Sequence, residues 1–271
     1  MWYRIKSFIK FYLLAGTKFN VHSSFLYDFV LNVLDTGKEY YVFQKLENLR
    51  TSLLLNQEVI QVKDFGAGSR SIKGDSRQIS NIASTSLSHK TKCRILFQIT
   101  EHYQCQHILE LGTSLGISSA YTASTARNKN VITLEGDPNI AKVAQTMHQK
   151  AGLNNIKIIT GPFAETLAPT LMDLPGIDLA FIDGHHQYEA TKKYFDQIIE
   201  KCHAGSIIIL DDIYWSEGMT RAWEEVIKHP KVSLTIDLYD IGILFLNPDL
   251  SKEYIRYISY KYKPWKIGLF R

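Results

Sequence analysis

From residue 107 onward, short apolar runs rich in β-branched residues alternate with longer stretches of helical periodicity, and nothing else in the chain restricts its fold so strongly. Strands buried on both faces read as continuous apolar runs, and successive parallel strands need a crossover long enough to hold a helix. The alternation therefore predicts an α/β fold, a mostly parallel sheet covered by helices. Strands are expected at residues 107–111, 131–135, 156–160, 177–182, 206–210, 232–237 and 241–246, seven in one doubly wound sheet. Only Leu238-Tyr239-Asp240 separates the last two. Three residues cannot carry a parallel crossover, so the final strand should return antiparallel as a hairpin.

The helices between the strands carry their own punctuation. Asp137 can cap free amide groups and Pro138 fits the first helical position, where no amide hydrogen is needed. Ile140, Ala141, Ala144, Met147 and Ala151 then form an apolar stripe that Gly152 can end. A second helix is expected over 188–203, turning Tyr194, Phe195, Ile198, Ile199 and Cys202 inward, and a third places Met219, Ala222, Trp223, Val226 and Ile227 on one face. Residues 1–60 read as helical without the alternation. The expected organisation is a helical extension over 1–62, a Gly/Ser-rich connecting or lid segment over 63–88, an α/β domain over 89–250 and a basic aromatic tail over 251–271.

A chain of 271 residues with 45% hydrophobic content can bury a substantial core. Its 31 Lys and Arg against 27 Asp and Glu leave +4, too small a bias for a nucleic-acid partner. The excess is local. Arg4, Lys6, Lys10 and Lys18 precede the first acid, Asp28, and the last twenty residues hold six bases against Glu253. Cys93, Cys105 and Cys202 lack the paired spacing of a zinc or redox site and read as reduced thiols. With no apolar run of the about 18 residues needed to span a bilayer and no signal-peptide pattern, a cytoplasmic protein is expected.

The first strand runs into Glu110-Leu111-Gly112-Thr113-Ser114-Leu115-Gly116, a turn whose glycines let backbone approach a ligand, and a helix with Ile117, Ala120, Tyr121 and Ala123 follows. The next strand ends in Glu135-Gly136, placing an acid where ribose hydroxyls of a nucleotide-type cofactor would lie. A carboxylate can accept from both hydroxyls. With Gly112 and Gly116 alone, the spacing departs from the G-x-G-x-x-G of dehydrogenases. Residues 59–68 mimic such a turn, but the polar, Gly-containing sequence after them supports no helix, and a loop over the active site is the better reading.

These residues, with Leu134-Glu135-Gly136-Asp137, Phe181-Ile182-Asp183-Gly184-His185-His186 and Leu210-Asp211-Asp212-Ile213-Tyr214-Trp215, resemble class I O-methyltransferases of the catechol O-methyltransferase type and the related bacterial methyltransferase 24 family. The resemblance covers about residues 85–250. It implies a Rossmann-like seven-stranded methyltransferase sheet with an antiparallel last strand, unlike the parallel dehydrogenase sheet, and S-adenosylmethionine as cofactor. The cofactor-binding residues it implies are Glu110, Gly112, Thr113, Ser114, Gly116, Glu135, Gly136, Phe163 and Asp183. Phe163 reads equally as adenine pocket or core. Metal-dependent members hold a divalent ion such as Mg²⁺ at positions matching Asp183, Asp211 and Asp212, although Asp212 stands where that family has Asn. The family's lysine base is here His186, with His185 beside it. An imidazole can take a hydroxyl proton near neutral pH, and either histidine reads also as a metal ligand or helix cap. Acidic strand ends can also position the cofactor's amine without an ion.

The leading expectation is methyl transfer to a hydroxyl of a small molecule or glycan. The alternatives are a metal-independent methyltransferase using His185 or His186 as base, a non-catalytic cofactor-binding or assembly protein, and, least supported, a nicotinamide dehydrogenase. Tyr214, Trp215 and Met219 read as acceptor wall or core. Trp2, Ile5, Ile9, Tyr12 and Leu13 recur at helical spacing among Arg4, Lys6, Ser7 and Lys10. That stripe reads first as packing on the chain's own domain or on a second subunit in a homodimer. Its competing reading is an interfacial helix, which with the aromatic, basic run over 254–265 would make the protein peripheral to the inner face of the membrane.

Overall fold

A computed structural model describes residues 2–35, 37–62, 76–126 and 129–264. In chain order the elements are α1 (Trp2–Leu14), α2 (Ser24–Phe29, continued by a π-helical turn, Val30–Leu34), α3 (Tyr41–Leu55), β1 (Val59–Gln61), β2 (Ser76–Gln78), α4 (Ile79–Ser86), α5 (Lys90–His102), β3 (His107–Leu111), α6 (Ile117–Ala123) and β4 (Asn130–Glu135). There follow α7 (Pro138–Ala151), β5 (Ile156–Thr160), α8 (Phe163–Asp173), β6 (Ile177–Ile182), α9 (Tyr188–Ile199), β7 (Cys202–Asp211), α10 (Glu217–Val226), β8 (Leu234–Asp237), β9 (Ile241–Phe245) and β10 (Glu253–Arg256).

The main sheet has eight strands in the order β10-β8-β9-β7-β6-β3-β4-β5. β3, β4 and β5 are mutually parallel, whereas β9 runs antiparallel to both β7 and β8, as the short Leu238-Tyr239-Asp240 connection requires. The eighth strand differs from the seven expected. β10 adds parallel to β8 from within the predicted tail, and its Glu-Tyr-Ile-Arg sequence is too short and charged to read as a buried strand. Charge of that kind suits an edge. Two compact units divide the chain, Lys38–Leu179 and Met1–Gly37 with Ala180–Arg271.

In the unit Lys38–Leu179, α3 belongs to the packed core. Its Phe43, Leu46 and Leu53 join Ile79, Ile82 and Ala83 of α4, Cys93 and Phe97 of α5, Ile117, Ala120 and Tyr121 of α6, and Met147 and Ala151 of α7. The Lys45 ammonium donates to the Ala151 carbonyl at 2.6 Å, a cation on the negative end of α7. Asp178 fixes the start of β3 by accepting from the Gln106 and His107 amides at 2.7 and 2.8 Å. The Asp137 carboxylate caps α7 through the Asn139 and Ile140 amides, and Gly152 closes it in the left-handed region. Of the expected connecting segment, β2 and α4 are ordered secondary structure, β2 pairing antiparallel with β1. Residues 63–75, and with them most of the Gly-rich turn mimic, lie outside the described residues.

In the other unit, α9 stops at Ile199 and not at 203, because the Lys201 amide turns back to the Ile198 carbonyl and β7 begins at Cys202. Cys202 still sits one helical turn from Ile198, donating to its carbonyl, which explains the misleading periodicity. Trp223 of α10 packs against β9, where a Cβ on Gly242 would come within 2.3 Å of its ring. Asp237, fully buried at the end of β8, accepts from the Tyr214 and Tyr254 hydroxyls at 2.7 and 2.5 Å and from the Tyr239 amide at 2.9 Å. Burial pushes its carboxyl above the ordinary range, against those donors, which pull it down.

The free edge of β10 is covered. The Gly16 amide donates to the Arg256 carbonyl and the Ile258 amide to the Gly16 carbonyl, both at 2.9 Å. Lys263 then caps the end of α1 by donating to the Tyr12, Leu13 and Ala15 carbonyls. α1 itself buries Phe11 and sets Phe8 and Phe11 against Tyr239. Trp2, Ile5, Ile9 and Leu13, expected first as a packed stripe, are not packed on their own domain: they are exposed.

Candidate active site

The Gly-rich turn is held by the strand beside it. The Gly112 and Thr113 amides both donate to the Leu134 carbonyl, at 3.0 and 3.1 Å, and Gly116 closes the turn onto the Thr113 carbonyl at 2.9 Å. Gly112, Ser114 and Gly116 all have positive φ, at 99°, 48° and 84°. Gly116 has a second reason to be glycine, since a Cβ there would lie 2.6 Å from His148 Nε2 and 2.9 Å from Met147.

Glu135 stands against this turn. One carboxylate oxygen accepts from the Ser114 amide at 2.8 Å and the other from the Asp137 amide at 3.0 Å, while Gly136 contributes a further backbone donor. Burial raises its pKa against the pull of those amides. A carboxylate has about four lone-pair sites, so the three amides leave one open for a hydroxyl donor. Beside it, the Ser114 hydroxyl is buried and has no hydrogen-bond partner. A buried hydroxyl without a partner costs about 1–3 kcal/mol, so a ligand that supplies one is favoured there.

Behind the turn runs a hydroxyl relay. Thr133 donates to Glu110 Oε2 at 2.6 Å, which spends its only proton, so Thr113 is the donor in the 2.6 Å Thr113–Thr133 bond. Glu110 is buried and also held by the Ser118 and Ser119 hydroxyls; burial pushes its carboxyl up to about 7. Glu110 and the Thr113 side chain thus face the interior and brace the turn. Phe163, the first residue of α8, is likewise buried.

His148 completes the brace, and sequence reasoning missed it. Its Nε2 lies 2.9 Å from the Gly116 carbonyl and 3.1 Å from Ser119 Oγ. A carbonyl only accepts, so Nε2 carries the proton. Burial pushes the imidazole down to about 4. The signal was a histidine on the buried side of α7, beside Met147. The folded pKa lies below the unfolded one, so the unfolded chain binds the additional proton between them, and the stabilisation from neutral His148 is lost as pH falls from about 6.5 to about 4. Urea titrations should therefore show the stability advantage of wild type over His148→Asn shrinking by about 3 kcal/mol between pH 7 and pH 4. Glu110 titrates with the opposite sign but is common to both proteins, so it cancels. A pH-independent difference would mean His148 is not held neutral.

In the other unit, the strand ends carry the remaining candidates. Asp183 follows β6, and His186 Nε2 lies 3.6 Å from its Oδ1, an electrostatic separation longer than a hydrogen bond. His185 instead pairs through Nδ1 with the Tyr194 hydroxyl at 2.8 Å. Both histidines have positive φ, at 66° and 30°, which sets two consecutive bulky residues in the left-handed region. Such strain persists only where the surroundings hold it. Asp211 is the buried last residue of β7, whereas Asp212 has φ of 52° and donates its amide to the Asp240 carbonyl at 2.7 Å. Among the described residues no group of three or more His, Cys, Asp and Glu is arranged to hold a metal ion, so Asp183, Asp211 and Asp212 do not form the expected triad.

Of the expected acceptor wall, Tyr214 is bound to Asp237 and stacked on Tyr239, and Met219 is buried beneath Thr191. Trp215 remains partly exposed, under the Arg4 guanidinium at 4.7 Å.

Residues 109–213 match the methyltransferase 24 family model, described as a methyltransferase domain. This segment is similar to that domain. It contains the turn, Glu135 and the Asp183–His186 pair. The chain is 34% identical over 113 residues to a catechol O-methyltransferase of Niastella koreensis, a match covering 41% of this chain and 50% of that protein. It spans about half the length of the curated relatives it matches. The fold is that of an O-methyltransferase from Bacillus cereus solved in complex with SAH (TM-score 0.56, 19% identity, 80% of this chain and 96% of that one) and of a SAH-bound methyltransferase from Podospora anserina (TM-score 0.58, 15% identity, 83% and 97%).

Proposed function

We propose that the methyltransferase domain, extending over about residues 89–250, binds S-adenosylmethionine on the turn after β3 and transfers its methyl group to a hydroxyl oxygen of a small-molecule or glycan acceptor. The observation that carries the reading is the buried, unpartnered Ser114 hydroxyl beside a carboxylate with an open acceptor site. That pair matches a nucleoside, which offers both donors and acceptors. The relatives, a catechol O-methyltransferase and two methyltransferases solved with SAH, support the same assignment.

S-adenosylmethionine, when bound, supplies an electrophilic methyl group on a positively charged sulfur. Glu135 would accept from a ribose hydroxyl and Ser114 would gain its missing partner. The proton of the acceptor hydroxyl goes to His186. Asp183 Oδ1 lies 3.6 Å from Nε2, too long for a hydrogen bond, so the carboxylate acts on the imidazole through its charge. The same carboxylate stabilises the imidazolium that forms. His185 has its Nδ1 engaged by Tyr194 and is the weaker candidate.

Calorimetry should detect S-adenosylmethionine binding to the folded chain; its absence would overturn the assignment. In a hydroxyl-acceptor panel, His186→Ala should lower kcat by roughly 10²–10⁴-fold with cofactor affinity unchanged, and His185→Ala should cost far less. Turnover that survives in His186→Ala would remove that residue from the base role. Binding with no turnover on any acceptor would favour a non-catalytic cofactor-binding protein.

A further inference from the structure

We infer that α1 is a docking helix for an anionic lipid bilayer. Taking about 100° per residue, Ile5, Ile9, Trp2 and Leu13 fall within roughly 80° of arc, and Phe11, the buried residue of the helix, lies about 160° from the centre of that arc. The helix is therefore attached by one side and presents the opposite, apolar side outward, with Trp2 81%, Ile5 44%, Ile9 54% and Leu13 67% exposed. A helix that only served its own fold would turn this stripe inward.

Charge selects the occupant. Lys6 and Lys10 lie next to the stripe on one flank and are exposed, Lys18 follows, and no acid precedes Asp28. An apolar band flanked by lysines, with an exposed tryptophan at its end, is the pattern of a helix lying in the headgroup region: the apolar side chains enter the acyl boundary and the ammonium groups reach anionic phosphates. A second copy of this face would bring Lys6 and Lys10 against the same residues of its partner, so like charges oppose that pairing. Anchorage is firm from behind, through Lys263 on the last carbonyls of α1, the Tyr239 hydroxyl on the Arg4 carbonyl at 2.7 Å and Arg4 over Trp215. Trp215 lies three residues beyond Asp212, so the docked helix bears directly on the loop that leaves β7.

Co-sedimentation of the full chain tests this with vesicles of about three parts phosphatidylcholine to one part phosphatidylglycerol, against phosphatidylcholine alone. Wild type should sediment with the anionic vesicles and be released by high salt. Lys6→Glu/Lys10→Glu should weaken partitioning by roughly 25-fold or more, from about 1 kcal/mol for each lysine near the surface. Ile5→Glu/Ile9→Glu should abolish it, while Met172→Glu, at another exposed apolar position, should leave it unchanged. All of these side chains are exposed, and unchanged thermal midpoints would confirm intact folds. Failure of wild type to bind anionic vesicles overturns the inference, as does binding indifferent to both double variants. A dimer in light scattering that Ile9→Glu dissociates, without vesicle binding, would assign the face to a second copy. None of these readouts requires methyl transfer, so they stand or fall apart from the catalytic reading.

Discussion

Replacing Glu135 with alanine is expected to weaken S-adenosylmethionine binding by roughly 10–10²-fold or more in calorimetry, the equivalent of one hydrogen bond to a charged acceptor at about 1.5–3 kcal/mol together with the loosening of the turn. The loss has two sources. The open site of the carboxylate is the proposed acceptor for a ribose hydroxyl, and its oxygens already fix the Ser114 and Asp137 amides on either side of the cofactor turn. Glu135→Gln separates them, since it keeps one acceptor oxygen and should cost about tenfold. Burial raises the carboxyl pKa, so affinity in wild type should also decline as acid protonates it, a dependence the Gln variant lacks. Wild-type affinity in the alanine variant would show that the ribose is gripped elsewhere.

Gly242→Ala should produce the largest loss of stability in the other unit. The added methyl would meet three atoms of the Trp223 ring at 2.3–2.7 Å, and Trp223 is 1% exposed with no room to retreat. Overpacking a close-packed core typically costs about 1–3 kcal/mol, and a clash this short with a rigid indole belongs at or beyond the upper end. The contact itself can be tested. Trp223→Leu alone should cost about 2–4 kcal/mol for the cavity it opens, and the double variant should be more stable than the sum of the two losses by 1 kcal/mol or more. Strict additivity in urea denaturation would mean the two residues do not compete for the same space.

The parallel strands were legible because buried β-branched runs and their spacing leave few alternatives: β3, β5 and β6 start and end where the apolar pattern does. The hairpin followed from a three-residue connection. β10 was hidden because Glu253-Tyr254-Ile255-Arg256 carries edge-strand charge, and its partner β8 lies some twenty residues away, beyond the intervening strand β9. The placement of Glu135 beside the turn was readable from a strand ending in acid. The supporting hydroxyls of Thr133, Ser118 and Ser119 and the neutral His148 were present as polar interruptions of apolar segments, but which group each would satisfy depends on distances no spacing rule supplies. Asp183, Asp211 and Asp212 show the converse: acids at successive strand ends do not by themselves make a group of three placed to hold a metal ion, and none is found among the described residues.

The backbone bonds that join Gly16 to Arg256 and Ile258, together with Lys263 on the final carbonyls of α1, tie together stretches separated by some 240 residues of chain. Neither stretch can fray alone, because detaching one strips the other of its donors and acceptors, so the two share a single local opening free energy. The same seam occupies main-chain groups beside β10 that would otherwise invite another molecule's strand, and so guards that side of the sheet against edge-to-edge growth.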